Sequence, residues 1–164
     1  MTVAGFDPGL RRTGFGILKN LENPSVAGFG VIAPNPRQIF SKRLSNIYFN
    51  ARRLLEEYRP DIVAVEEVYF AKNPQTTLNL GVVRGLLFAA ALEQKIEIAS
   101  FSPAEVKMAV TGRGNATKEQ VQYLVAAELG LKGKIEEDSA DALAVCLCYL
   151  KNLKYEMHLK KAVV

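Results

Sequence analysis

The chain is poor in the residues that usually carry zinc, disulfide or imidazole chemistry. Its 164 residues include no tryptophan, one histidine and two cysteines. Cys146 and Cys148 lie in an apolar segment without a second cysteine pair, so no zinc motif or disulfide framework is expected. We predict that both thiols are small core residues in a reducing compartment. A surface position is the simpler interpretation of His158.

Long hydrophobic runs are also lacking. The most apolar run, Leu86 to Leu92, is short and is bounded by Arg84 and Glu93, whereas a membrane span needs roughly 18 apolar residues. The first residues, MTVAG, do not resemble an export signal. These features predict a cytoplasmic protein without a membrane segment, and the length suits a single core.

The chain has only a small excess of positive charge, with a net charge of +4 and a pI near 9.1. The basic residues Arg113, Lys118 and Lys72 lie beside glycine-rich turns or beside aromatic residues such as Tyr69. Such positions would suit contacts with backbone phosphates. The charge is therefore compatible with a polyanionic partner, although it does not identify one.

The order of apolar patterns predicts an α/β fold with a five-stranded mixed sheet flanked by helices. Tight turns join the first three strands, which are therefore expected to be antiparallel. The first and fourth strands are expected to be central neighbours. The predicted strands are 3–6, 14–18, 26–32, 61–66 and 97–101, and the predicted helices are 40–58, 77–94, one opening at Pro103, 117–129 and 138–150. We predict one domain over residues 1–150 and a partly frayed basic tail over 151–164.

The helix predicted over Thr77–Gln94 is apolar nearly all round, and it contains Gly81 and Gly85 four positions apart. A helix of this kind needs partners on two sides. One face would cover the sheet, and the other would be a subunit contact in a symmetric dimer. The alternative is that a small domain buries the helix from both sides.

Acidic residues follow two predicted strands and open the last predicted helix. Asp7 ends the first strand before Pro8-Gly9, which alone is compatible with an ordinary turn. Glu66 ends the fourth strand, and because successive residues face opposite sides, only one of Glu66 and Glu67 can meet Asp7. Asp138 and Asp141 share one helix face, where capping of the helix is the alternative role.

Considered together, these acids predict a metal site. Clustered carboxylates repel one another unless positive charge lies among them. An all-oxygen set suits magnesium or manganese better than zinc. Two such ions, about 3.5 to 4 Å apart, would activate a water and stabilise the leaving oxygen during in-line attack on a phosphodiester.

Four segments, in this order, resemble the RuvC family of Holliday junction resolvases in the RNase H-like superfamily, and the similarity extends to about residue 150. They are FDPG with TGFG at 6–9 and 13–16, VEEVYFAKN at 65–73, GRGNATK at 112–118 and DSADALA at 138–144. The resemblance implies an RNase H-like fold. It also implies an endonuclease that resolves four-way DNA junctions by paired, symmetric nicks during recombination and repair.

The same resemblance implies specific roles for residues. Asp7, Glu66, Asp138 and Asp141 correspond to the family's catalytic, metal-binding carboxylates, which would use Mg²⁺, with Mn²⁺ as a substitute and two ions per site. Tyr69 corresponds to an aromatic that stacks on a base at the crossover, the alternative being a core or surface aromatic. The predicted DNA-binding residues are Tyr69, Lys72, Lys107, Arg113 and Lys118.

The resemblance further implies a homodimer whose twofold symmetry matches that of the junction. Because the chain has no Walker A motif, the branch-migration proteins RuvA and RuvB would be partners. Three alternatives stay open at this point. They are an RNase H-like nuclease acting on RNA, a phosphotransferase of the sugar-kinase and actin-like group, and an inactive junction-binding protein.

Overall fold

The computed structural model describes residues 1–67, 73–133 and 135–162. Tyr69 and Lys72 therefore lie outside the described residues. The strands are β1 (Thr2–Asp7), β2 (Thr13–Lys19), β3 (Ser25–Ile32), β4 (Ile62–Glu66) and β5 (Glu97–Phe101). The helices are α1 (Phe40–Tyr58), α2 (Pro74–Glu93), α3 (Pro103–Thr111), α4 (Lys118–Glu128) and α5 (Glu137–Ala162).

The strands form one mixed sheet with the order β3-β2-β1-β4-β5. Strand β2 is antiparallel to both β1 and β3, whereas β4 is parallel to both β1 and β5. The predicted α/β architecture and the predicted pairing of the first and fourth strands are confirmed. Because β1 and β4 are parallel neighbours, the two strands end at the same edge of the sheet, β1 at Asp7 and β4 at Glu66.

Helices cover both faces of the sheet, so two separate cores form. Val3 and Ile62 pack with α3, α4 and α5 on one face. Ala4 and Val63 pack with α1 and α2 on the other. This alternation along β1 and β4 follows from the period of two residues in a strand. Asp7 is four positions after Val3, and Glu66 is four positions after Ile62, so both acids lie on the same face as these two residues, which is the face that α5 covers.

Helix α5 lies unusually close to the sheet, because glycines face it. A Cβ atom at Gly5 would lie 2.2 Å from the carbonyl oxygen of Ala142. At Gly14 it would lie 1.9 Å from the carbonyl oxygen of Asp138. Such distances leave no room for a side chain. The two glycines therefore allow backbone contact, and they fix where the start of α5 rests on β1 and β2.

The prediction that the last helix ends near Leu150 is wrong, since α5 continues to Ala162. The lysines that suggested fraying are bound to the body of the molecule. Lys151 Nζ donates to Glu128 at 2.8 Å, and Lys154 Nζ donates to the carbonyl oxygen of Glu22 at 2.7 Å. The division of the chain into a 1–150 domain and a tail stays a prediction.

The predicted helix starts are largely confirmed. Ser102 and Thr117 each form a capping box, with Glu105 and Gln120 as the respective partners. Helix α2 begins at Pro74, three residues before the predicted start, because the Asn73 side chain accepts a hydrogen bond from the backbone of Gln75.

Helix α2 is, among the described helices, the one that is long and apolar enough to cross a membrane. Its residues Val83, Leu87, Ala90 and Ala91 are buried in the core shared with α1 and the sheet. This packing accounts for one apolar face without a membrane. The opposite face is exposed, since Leu78, Val82 and Leu92 are accessible to solvent.

Candidate active site at one edge of the sheet

Two carboxylates are brought together by the pairing of β1 with β4. The parallel register pairs Phe6 with Val65, so Asp7 and Glu66 occupy the next positions on neighbouring strands. Both side chains lie on the face of the sheet that α5 covers. Glu67 is exposed, and its backbone donates to Phe101. As the sequence predicts, Glu66 and Glu67 therefore differ in orientation, with Glu66 beside Asp7 and Glu67 exposed.

The first turn of α5 brings the other two acids to this edge. Asp7 pairs with Gly14 in the register of β1 and β2, and the backbone of Asp138 rests on Gly14. Asp141 lies one helical turn further, on the same face of α5. We refer to Asp7, Glu66, Asp138 and Asp141 as the carboxylate cluster.

The carboxylate cluster is strongly coupled through its negative charges. Burial, followed by the charges of Asp141, Glu66 and Asp138, raises the pKa of Asp7 to about 8. Burial also raises the pKa of Glu66 and that of Asp141. Uncharged carboxyl groups are favoured where burial and like charge coincide, unless a cation joins them. The described side chains of this site therefore do not carry enough positive charge to balance the four carboxylates.

Two basic side chains compensate part of the negative charge. Lys118 Nζ lies 2.9 Å from Asp141 Oδ2 and also pairs with Glu137. Arg12 Nε lies 2.6 Å from Asp138 Oδ2, and its Nη2 pairs with Glu136. Partial burial lowers the pKa of Lys118, but its bonds to Glu137 and Asp141 outweigh this and raise it.

These ion pairs turn two members of the carboxylate cluster away from a common centre. Within the part of the chain that the structure describes, no three histidine, cysteine or carboxylate side chains are gathered as ligands of one ion. Asp138 is directed to Arg12, and Asp141 to Lys118. Rotation of these two side chains would be needed for joint metal binding.

The carboxylate cluster separates two grooves on opposite sides. The lysine groove, of about 240 Å³, lies on the side of α3 and α4. Its lining includes Glu66, Asp141, Lys107 and Lys118. The arginine groove, of about 530 Å³, lies between the β1–β2 turn, α1 and the start of α2. Its lining includes Arg11, Arg12, Arg43, Asn79 and Asp138.

The predicted DNA-binding residues are not all in one place. Lys107 and Lys118 line the lysine groove beside Glu66 and Asp141. Arg113 instead lines a separate depression between α3 and α4, next to the exposed Tyr123. The predictions for Tyr69 and Lys72 fall outside the described residues, so their positions stay predictions.

The residues set aside by the sequence analysis lie away from this site. Cys146 and Cys148 are free and buried, as predicted. Burial raises the pKa of the Cys146 thiol, which is therefore not a nucleophile. His158 is exposed, and its Nδ1 contacts the carbonyl oxygen of Lys154 at 2.7 Å within α5.

Sequence reasoning missed the arginines of the β1–β2 turn. Arg11 and Arg12 follow the Asp-Pro-Gly turn after one intervening residue, Leu10, which is a signal for a basic group near the end of β1. The pairing of Arg12 with Asp138 crosses 126 positions in the sequence. No local pattern predicts a contact over that separation.

Comparison with known proteins gives consistent results. The family model described as "Crossover junction endodeoxyribonuclease RuvC" matches residues 3–149. The chain is 41% identical to the protein of that name from Geobacter sulfurreducens over 150 residues, which cover 91% of this chain and 92% of that protein. It is 40% identical to the one from Dictyoglomus thermophilum over 152 residues, covering 92% and 96% of the two chains.

Solved structures agree with this result. The Thermus thermophilus RuvC solved in complex with a Holliday junction substrate matches with a TM-score of 0.89 and 31% identity, covering 95% of this chain and 96% of that one. A yeast mitochondrial Holliday junction resolvase matches with a TM-score of 0.69 and 14% identity, over 99% and 84% of the two chains, and supports the fold alone. The predicted fold class is thereby confirmed. With a family model matched over residues 3–149 and relatives about 40% identical over nearly their whole length, the chain belongs to the RuvC family of crossover junction endodeoxyribonucleases.

Proposed function

We propose that this protein is a structure-selective endonuclease that resolves four-way DNA junctions by paired, symmetric phosphodiester hydrolysis. The observation that carries the proposal is the carboxylate cluster at one sheet edge, flanked by basic grooves, in a chain of the RuvC family. The relatives carry the name of this activity, and the Thermus thermophilus relative was solved with a Holliday junction. The process served would be recombination and repair in the cytoplasm.

Divalent metal is the cofactor that fits the carboxylate cluster. All four side chains offer oxygen ligands, as Mg²⁺ and Mn²⁺ prefer. The raised pKa of Asp7 indicates that the cluster lacks compensating positive charge. Asp7, Glu66, Asp138 and Asp141 would hold the metal. When bound, two ions would activate the attacking water and stabilise the leaving oxygen.

The chain's own residues prepare this chemistry in three ways. Asp7 holds a proton on its carboxyl group near neutral pH, and it must release that proton to become a ligand. Arg12 and Lys118 occupy Asp138 and Asp141 until those side chains turn inward. Once released, Lys118 is free to contact a backbone phosphate in the lysine groove, where Lys107 adds a second charge.

A homodimer would supply the second active site that paired nicks require. The exposed face of α2 carries an apolar stripe at heptad-like spacing, with Leu78 64% exposed, Val82 42% exposed and Leu92 65% exposed. Between them, Cβ atoms at Gly81 and Gly85 would meet nothing within 4 Å. An apolar stripe interrupted by small residues suits close contact with a second copy of the same helix about a twofold axis.

The partners implied by the family are the branch-migration proteins RuvA and RuvB. The chain has no Walker A motif, so movement of the junction would depend on a separate nucleotide-hydrolysing protein. The protein would then act on junctions that this motor delivers.

One cleavage assay tests the proposed function. A synthetic immobile junction and a mobile junction are incubated with the protein, with magnesium, with manganese or with chelator, and the nicks are mapped. We expect metal-dependent nicks at symmetric positions on two strands of like polarity. Preferential cutting of an RNA–DNA hybrid would instead indicate the alternative RNase H-like activity, and ATP binding by the isolated chain would favour a phosphotransferase.

A further inference from the structure

We propose that the arginine groove is a second phosphate-binding site, which holds the DNA backbone on the side of the carboxylate cluster opposite Lys107 and Lys118. The inference rests on the proposed function, because it assigns a path to the cleaved strand. It adds three residues, Arg11, Arg12 and Arg43, that no motif singled out.

The shape and charge of the arginine groove suit a polyanion. Its volume of about 530 Å³ exceeds the 240 Å³ of the lysine groove. Three guanidinium groups line it, and Asp138 is the one acid among the described residues of its lining. Guanidinium groups bind phosphate oxygens through two parallel hydrogen bonds, so arginines are favoured for this purpose.

The three arginines differ in how firmly the rest of the protein holds their side chains. Arg11 is exposed and has no hydrogen bond or ion pair with any residue that the structure describes. Arg43 donates from Nη2 to the carbonyl oxygen of Leu10 at 2.9 Å, which fixes the β1–β2 turn, while its Nε is buried without a protein partner. A buried donor without a partner is costly unless a ligand or water accepts its hydrogen bond.

Arg12 connects the arginine groove to the active site. It is shared between Asp138, a member of the carboxylate cluster, and Glu136, which is exposed. If Asp138 turns inward to become a metal ligand, Glu136 is the partner that Arg12 keeps among the residues that the structure describes. The guanidinium then gains a phosphate as an alternative partner at a point beside the reacting group. Glu136 would compete with DNA for Arg12.

The two grooves define a path for one strand across the sheet edge. The lysine groove contains Glu66 and Asp141, and the arginine groove contains Asp138. Asp7 ends β1 between them. A strand that places its scissile phosphate at the carboxylate cluster would therefore meet lysines on one side and arginines on the other. Contacts on both sides would restrict the position of the scissile bond more than contacts on one side.

The test measures binding of a fluorescent four-way junction to the full-length protein in chelator, over a series of salt concentrations. Arg11→Ala is the main variant, because Arg11 is exposed and has no hydrogen bond or ion pair with a described residue that the substitution would break. We expect its dissociation constant to rise about fivefold, and the slope of log affinity against log salt to fall by about one phosphate contact. Lys19→Ala is the matched control, since Lys19 is exposed at the far end of β2. Its salt slope should be unchanged.

A second measurement addresses Arg12 through its competitor. Glu136→Gln should tighten junction binding in the wild-type background and should have no effect in an Arg12→Ala background, as a double-mutant cycle would reveal. Equal effects of Glu136→Gln in both backgrounds would show that Glu136 repels DNA without involving Arg12, and would remove Arg12 from the proposed site.

The outcomes separate this inference from the proposed function. If the wild-type protein neither binds nor cuts a junction, the proposed function is wrong. If the wild-type protein does both but Arg11→Ala keeps the affinity and salt slope of the wild type, the arginine groove is not a phosphate site and the proposed function stands. Ethylation interference adds a positional readout, since the phosphate contacted by Arg11 should no longer affect binding of the variant.

Discussion

We propose that the chemistry of this protein depends most on Asp7. It ends β1 at the point where β4 and α5 bring three other carboxylates, and its pKa is raised to about 8. A side chain in this position is useful to a metal site and unfavourable for the stability of the metal-free fold. The two effects can be measured separately.

Replacing Asp7 with Asn should abolish cleavage and leave junction binding nearly unchanged, because backbone phosphates are contacted by other residues. In chelator above pH 8, where Asp7 is charged, the variant should also be more stable by about 1 kcal/mol, since one source of repulsion is removed. Mapped nicks, junction affinity and thermal unfolding in chelator test these outcomes. The matched control is Glu67→Gln, which should still cut because Glu67 is exposed outside the carboxylate cluster. Loss of binding together with cleavage would contradict the assignment.

The pKa of Asp7 also predicts how stability depends on pH. Its value of about 8 in the folded state lies above the ordinary 3.8, so the folded chain binds this proton more tightly than the unfolded chain. The contribution to stability is present below pH 3.8 and is lost as the pH rises through about 8. The free energy of unfolding in chelator should therefore fall as the pH rises from about 4 to about 8, and it should level off above pH 8. Asp7→Asn should flatten this dependence, and an unchanged profile in the variant would assign the effect to another group.

At the scale of elements, the contact between β2 and α5 sets the position of Asp138. The backbone of α5 rests directly on Gly14, as the 1.9 Å approach of a hypothetical Cβ to the Asp138 carbonyl oxygen indicates. The same strand position pairs with Asp7. One glycine thus decides how closely two members of the carboxylate cluster approach each other.

Replacing Gly14 with Ala should therefore displace the first turn of α5. We expect a loss of about 2 kcal/mol or more in the free energy of unfolding, because the added methyl group meets backbone that cannot move independently. Cleavage should fall further than stability alone explains, since Asp138 and Asp141 move together. Denaturant unfolding and cleavage rates provide the readouts. Gly114→Ala is the control, because its Cβ would meet only ordinary contacts at 3.8 Å and beyond.

At the scale of the whole molecule, the exposed apolar face of α2 implies a second copy of the chain. Leu78 is 64% exposed although it lies in the most apolar helix. We predict that Leu78→Glu converts a dimer into a monomer without unfolding it, because the opposite face of α2 keeps its place in the core. Sedimentation or light scattering measures the mass, and Lys19→Glu serves as a control on a different surface. A wild-type protein that is monomeric at micromolar concentration would exclude the proposed homodimer.

Much of the fold follows from local patterns in the sequence. The apolar run from Val3 to Phe6, the proline and capping boxes after Ser102 and Thr117, and the apolar run before Glu66 each identify an element without reference to the others. The alternation of side chains along a strand also predicts that Glu66 and Glu67 face different sides of the sheet. The end of α5 was not predictable in this way, because the lysines after Leu150 are held by Glu128 and by the carbonyl of Glu22, which are distant in sequence.

The sequence by itself determined the strands, the helices and the four acids that end or open them, because each depends on residues within a few positions. Only the tertiary structure decided that Arg12 would meet Asp138, that Lys118 would meet Asp141, and that the acids would divide two basic grooves. The physical reason is that electrostatic contacts depend on distance in space, and the packing of α5 on Gly5 and Gly14 sets that distance.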